Sequence, residues 1–339
     1  VDIELQRLAP ESPFSVEAIV RGSVSADGLS AALTTPMNNY FQGEAPYLAR
    51  LRFPKAGDDP GPPFEVAVES DLRGIIVDLP VPLGKAADSD LPLSLTVQFP
   101  GGGRMETFGT LTDSIKWTMG FDNSSGRWDF DRGILAAGGT YPDDAPTRGL
   151  HIVGQVEELR LTDWLEVARR GSGGIGIADR IRSIDLTVDN LHVIGQHLRD
   201  HRVQVQRSAL DWFVELDGAD NIGSVTVPYD FASGRPLIVD MELLTLPGAD
   251  EPSDATTTDV DPRTFPPTRV RAGSFSLGDR QFGSLTADFN QTDIGLESTN
   301  LATQHESFSI GGSAGWVVDT DDPAGHLSLI HISEPTRLQ

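Results

Sequence analysis

Between Ile181 and Leu216 apolar and polar residues alternate with the two-residue period of a half-buried β-strand. Ile184, Leu186 and Val188 are interleaved with Asp185, Thr187 and Asp189. Val203 and Val205 stand between Arg202, Gln204 and Gln206, and Trp212, Val214 and Leu216 repeat the pattern. Three such strands joined by short polar turns make an antiparallel meander that is apolar on one face. A looser copy follows from Arg269 to Ile310 and contains Leu285, Ala287 and Phe289. Gly195 and Gly278 each close an apolar strand before the link to the next. A repeated one-sided sheet poses one question before any other: what covers its apolar face.

The same alternation runs through the N-terminal half. Phe14–Val24, Tyr47–Phe53, Phe64–Val68, Leu93–Phe99, Ile115–Phe121 and Trp128–Phe130 are predicted strands, and Leu72–Leu79 is a turn feeding another. Turn residues separate them at 58–61, 100–103 and 123–126. The expected fold is mainly β: a long, curled antiparallel sheet of meander repeats with one or few short helices. The clearest helix starts at Thr162, carries acid early and Arg169-Arg170 late, and stops at Gly171. Trp164, Leu165 and Ala168 share one side of it, enough to dock one end of a sheet. The acidic, Pro-rich stretch from Pro247 to Thr268 predicts an exposed linker. The expected division is therefore a strand-rich segment at 1–157, a helix plus first meander at 158–246, the linker at 247–268, and a truncated second meander at 269–326. Leu327–Arg337, L-S-L-I-H-I-S-E-P-T-R, resembles a translated sequencing adaptor, so 327–339 is expected to be a non-native tail. The chain opens on Val1, which suggests a fragment whose start is missing.

Composition removes several function classes. A formal net charge of -24 excludes a phosphate-neutralising nucleic-acid surface and electrostatic docking on anionic lipid. With no cysteine there is neither a disulfide framework nor a thiolate metal site. No apolar run approaches the roughly 18 residues of a spanning helix.

The chemistry-bearing residues are weak signals. Gly171, Gly173 and Gly176 spell G-x-G-x-x-G, but after a helix and ahead of a strand, the reverse of the dinucleotide fingerprint. His192, His197 and His201 cluster in sequence, yet a strand-turn-strand path does not place them on one face, and solvated turn histidines are the expectation. Asp319, Asp321 and Asp322 lack the Gly and distal Glu of a calcium loop. Trp117, Trp128 and Trp212 can form a sugar-stacking platform or pack in a core or groove. Acid pairs such as Asp143-Asp144 and Glu157-Glu158 carry little information in so acidic a chain, and no Ser stands in a nucleophile elbow. No catalytic residue, cofactor or metal is expected.

Roughly twenty strands at about 4.8 Å each would form a sheet on the order of 95 Å long. Such a sheet can fold on itself as sandwiches or barrels, or curl into a trough lined with apolar side chains. A lipid tail suits a trough, because each buried CH₂ contributes about 0.8 kcal/mol and a sixteen-carbon chain on the order of 10 kcal/mol.

Several stretches decide what the chain resembles. They are R-G-S-V-S-A-D-G-L at Arg21–Leu29, Y-F-Q-G-E-A-P-Y-L-A-R-L-R at Tyr40–Arg52 and V-E-S-D-L-R-G-I-I-V-D-L-P-V-P-L-G-K at Val68–Lys85. The Asp163-Trp164-Leu165 helix, G-S-V-T-V-P at Gly223–Pro228 and G-D-R-Q-F-G-S-L at Gly278–Leu285 complete the set. In this order they resemble the C-terminal portion of the YhdP branch of the AsmA-like family of Gram-negative envelope proteins. The resemblance implies a periplasm-spanning β-groove that carries phospholipid between inner and outer membranes. It also implies an inner-membrane anchor through a helix absent from this chain, possible envelope-protein partners and no catalytic residues. The lining expected of such a groove is Ile184, Leu186, Val188, Val203, Val205, Trp212, Val214 and Leu216, with Leu285, Ala287 and Phe289 in the second meander. The alternative is a structural or ligand-binding β-sandwich module of a secreted protein, with a hydrolase third.

Overall fold

The alternating segments fold as strands. The computed structural model describes residues 1–27, 40–57, 61–123, 126, 128–139, 141–142, 147–161, 163–164, 167, 177–193, 196–246, 261–317, 326–328 and 332–336. Two compact units divide it: Val1–Val156 with Asp163–Arg182, and Glu157–Thr162 with Ser183–Gln339.

The first unit contains β1 (Asp2–Arg7), β2 (Phe14–Ser25), β3 (Phe41–Pro54), β4 (Phe64–Ser70), β5 (Ile75–Val77), β6 (Leu93–Gly101), β7 (Arg104–Leu111), β8 (Ile115–Asp122) and β9 (Asp129–Ala137). Strand β10 (Gly149–Arg160) gives Gly149–Val156 to this unit and its last residues to the other. Neighbours pair antiparallel from β1 through β9, with β4 passing directly to β6 and the short β5 pairing with the start of β3. Between β6 and β7 the turn Gly101-Gly102-Gly103 holds φ at 90°, 63° and 70°, a left-handed run that only glycine adopts without strain.

Across one end of this unit, Ala26, Ala45, Ile75 and Val77 form a small buried cluster with Phe41 and Leu79 against it. Asp163, Trp164 and Val167 have helical backbone, the described part of the helix expected from Thr162. The Trp164 indole N–H donates to the Val81 carbonyl at 3.1 Å, and the Tyr40 hydroxyl donates to the carbonyl of buried Val167 at 3.0 Å. These two bonds tie Trp164 and Val167 to the segments that flank β5 and β3. Thr162, Leu165, Ala168 and the glycines 171, 173 and 176 lie outside the described residues. A single-turn helix, α1 (Ile177–Arg180), follows.

In the second unit β11 (Ile181–Val193), β12 (Gln196–Arg207) and β13 (Asp211–Asp217) are the predicted meander. Strands β14 (Asn221–Pro228), β15 (Leu237–Leu246), β16 (Thr268–Leu277), β17 (Arg280–Thr292), β18 (Gly295–Gln304) and β19 (Ser309–Val317) continue it. Two short strands, β20 (His326–Ser328) and β21 (Ile332–Thr336), both pair with β19.

One expectation is corrected. The sheet is mixed rather than antiparallel throughout, because β9–β10 and β15–β16 pair parallel. Parallel neighbours need a crossover instead of a hairpin turn. Both parallel joints follow long connections, residues 138–148 and 247–267. Residues 247–260 of the expected linker lie outside the described residues. Its remainder is packed: Pro262 and Pro266 are fully buried, and the Phe265 ring lies 5.1 Å from that of Trp316 and 6.0 Å from that of Phe231.

Candidate functional site

Residues directly opposite each other on paired strands point to the same face of a sheet, so register alone sorts the side chains. In the second unit one row runs Ile184–Val205–Val214–Val225–Val239–Val270–Ala287. The next runs Leu186–Val203–Leu216–Gly223–Met241–Ala272–Leu285–Thr303–Ile310 across nine strands. Nine strands span roughly 38 Å at the usual spacing. All eleven residues expected to line a groove fall on this face. Trp212 pairs with Val227 and Phe289 with Thr268, one row further along, and Val188 lies opposite His201. The parallel β15–β16 joint sets Leu285 and Ala287 in the same rows as Val203 and Val205.

Burial grades along these rows. Met241, Ala272 and Leu285 form a buried cluster, with Leu216, Val239, Val270 and Leu301 packed against it. Ile184, Val205, Val214 and Leu216 are half-buried, while Leu186, Val188, Val203 and Ala287 are buried. The reverse face reads Asp185–Gln204–Glu215–Ser224–Asp240–Arg271–Thr286. Arg202 grips Asp185 through two nitrogens at 2.8 and 2.9 Å, and Gln204 adds a third donor at 3.1 Å. These bonds, Arg202's first, hold the Asp185 carboxyl below its usual range. Asn300 and then Arg271 do the same for Asp288.

The first unit has the same division, which the sequence reading left without named lining residues. Its central row is Ile3–Val20–Ala49–Val68–Leu95–Gly109–Trp117–Leu135–Ile152, again nine strands. Gly109 is required there: a Cβ at that position would overlap the Trp117 indole, which lies across it. The reverse face carries Glu17–Arg52–Glu65–Gln98–Glu106. Arg52 bridges Glu17 and Glu65, each at 2.9 Å, and Arg132 reaches Glu106 at 3.2 Å. The alternation of β4, β6 and β8 was the available signal for this face.

The polar residues singled out in the sequence separate. His192 and His197 pair across β11–β12 and stack with centroids 4.7 Å apart. His201 corrects the expectation of solvated turn histidines: it is fully buried in mid-strand, its Nδ1 2.8 Å from the Arg199 carbonyl. Trp117 lies over Gly109, Trp128 is edge-on to Phe99 at 5.9 Å, and Trp212 is edge-on to Tyr229 at 5.4 Å. Each therefore packs against its own neighbour. Glu158 pairs with Arg160 at 2.6 Å. Asp143, Asp144, Asp319, Asp321 and Asp322 lie outside the described residues. Among the described residues no group of three or more His, Asp or Glu is placed to hold a metal ion, and no helix is long and apolar enough to cross a membrane.

Comparison with known proteins places this geometry. No curated protein and no solved structure matches the chain. The family model described as YhdP protein matches residues 7–333, nearly the whole chain and reaching into the stretch that resembles an adaptor translation. The ordered sheet motifs and this match agree: the chain belongs to the YhdP family of cell-envelope proteins.

Proposed function

We propose that the chain is a segment of a bridge-like lipid-transfer protein that conducts phospholipid across the periplasm, between inner and outer membranes, along the apolar faces of its sheets. Acyl chains lie on the aliphatic rows and headgroups stay in water, so transfer needs no chemical step and no catalytic residue. The observation that carries this reading is the register. In each unit a row of nine paired strands keeps its side chains predominantly apolar on one face, while ion pairs occupy the other. A hydrolase reading has no comparable support: Glu17, Glu65 and Glu106 in the first unit and Asp185 and Asp288 in the second are each tied to an Arg on the reverse face. Anchoring in the inner membrane and contacts with other envelope proteins belong, on this reading, to the longer protein.

Each CH₂ taken from water onto the face contributes about 0.8 kcal/mol, and because that contribution is non-directional an acyl chain can bind firmly yet slide. The test is to purify the chain from an envelope-bearing host, extract it with solvent, and identify bound lipid by mass spectrometry. Phospholipid retained near stoichiometrically is expected. A lipid-free, compact monomer would overturn the reading and favour a closed sandwich.

A further inference from the structure

Two aromatic side chains on the first unit's apolar face carry hydrogen-bond donors that the described residues leave unused. Tyr47 of β3 stands directly opposite Gly22 of β2, and Trp117 of β8 directly opposite Gly109 of β7. Each ring lies across its glycine. A Cβ on Gly22 would come within 3.2 Å of the Tyr47 hydroxyl oxygen, and one on Gly109 within 2.4 Å of Trp117 Cε2, the atom bonded to the indole nitrogen. Tyr47 is two residues from Ala49 on β3, and Trp117 is in register with Leu135, so both belong to the apolar face. The Trp164 indole N–H donates to the Val81 carbonyl. Among the described residues the Trp117 N–H and the Tyr47 hydroxyl have no such acceptor, and both side chains are half-buried with the donor atom not sealed in.

We propose that Tyr47 and Trp117 are specificity-determining donors for the ester carbonyls of a bound diacyl phospholipid, an assignment that rests on the groove reading above. Hydrocarbon laid over the face strips water from both donors and puts no acceptor in its place. A donor left in that state loses more than an ordinary hydrogen bond gains. A fatty-acid ester has a carbonyl oxygen at the head of each acyl chain, where the apolar tail begins, and so restores the bond. Tyr and Trp suit such a place, since each presents an apolar ring and one polar atom. The glycines opposite let the rings lie down over the neighbouring strand, which keeps the face open above them. From β3 to β8 the sheet passes through four pairings, roughly 19 Å at the usual strand spacing. The two ester groups of one phospholipid sit on adjacent carbons, so the two donors mark separate lipid positions along the face.

The experiment measures retention by the purified chain of diester phosphatidylglycerol and of its diether analogue with the same chain lengths, for wild type, Y47F, W117F and the double variant. Y47F removes only the hydroxyl, and W117F keeps an aromatic ring over Gly109. Wild type is expected to hold the diester lipid about threefold to tenfold better than the diether. Each single variant should lower that ratio and the double variant bring it to parity, with diether retention unchanged throughout. A variant that keeps the full ratio, or that lowers both lipids alike as a packing defect would, overturns the assignment for its residue. Equal retention of the two lipids by the wild type overturns both donors and leaves the groove reading intact. Failure of the wild type to hold either lipid overturns the groove reading and this one together. Should W117F not fold, benzothienylalanine in place of Trp117, which exchanges the indole N–H for sulfur at nearly the same shape, decides by the same criterion.

Discussion

Replacing Val205 with aspartate separates an open lining from a closed core. Val205 is half-buried, in register with Ile184 and Val214 on the apolar face. On an open face the new carboxylate reaches water, and the loss is about half the value of a fully buried valine, on the order of 1 kcal/mol. With a urea dependence of about 1–3 kcal/mol per molar, the unfolding midpoint falls by roughly 0.5 M. In a sealed core the same carboxylate has no partner and costs several kcal/mol, which would remove most of a domain's stability. The assays are urea unfolding followed by tryptophan fluorescence and lipid content by mass spectrometry. V205D is expected to stay folded with a modestly lowered midpoint and to lose its lipid. Outright unfolding would refute the open-lining argument, and a folded V205D that keeps its lipid would refute the role of this row.

Other expectations follow from the same rows and their reverse faces. Met241→Ala leaves a cavity against Ala272 and Leu285 and should cost about 2–5 kcal/mol, visible as a lower urea midpoint. Gly109→Ala forces the Trp117 indole aside and should cost about 1–3 kcal/mol, with a red shift in fluorescence reporting a more exposed ring. Asp185 and Asp288 have carboxyl pKa values lowered by folding, so their contribution is present above the unfolded value near 3.9 and disappears as pH falls through the lower folded value. Both are partly exposed, so D185N with D288N should remove only about 0.2–1 kcal/mol per site at neutral pH and flatten the acid limb of stability against pH. An unchanged acid limb would contradict that assignment.

Much of this was legible in the chain because a half-buried strand writes its burial into every second residue. Ile184, Leu186 and Val188 announced their face, and so did Leu285, Ala287 and Phe289. What alternation cannot express is which strands meet. The pairing of Val239 with Val270 is parallel and separated by a long excursion, so nothing local shows that Leu285 and Val203 share a row. Hence 269–310 read as a second meander, whereas the structure sets it edge to edge with the first. The first unit's face was harder to read for another reason. Its pattern is interrupted by Gly109, where the side chain filling the position belongs to Trp117 on the adjacent strand. His201 shows the converse limit: its burial depends on Gly218 packing over the ring from the β13–β14 turn, a contact without a local signature.

The face itself can be interrogated residue by residue. A benzophenone side chain placed in turn at Val205, Val214 and Val225, and at their neighbours Gln204, Glu215 and Ser224, would be illuminated in cells grown on radiolabelled phosphate. The lining account predicts lipid adducts at the three valines and none at the three polar positions, an alternation with the period of the strand. Equal labelling of both faces, or none on the valines, would contradict it.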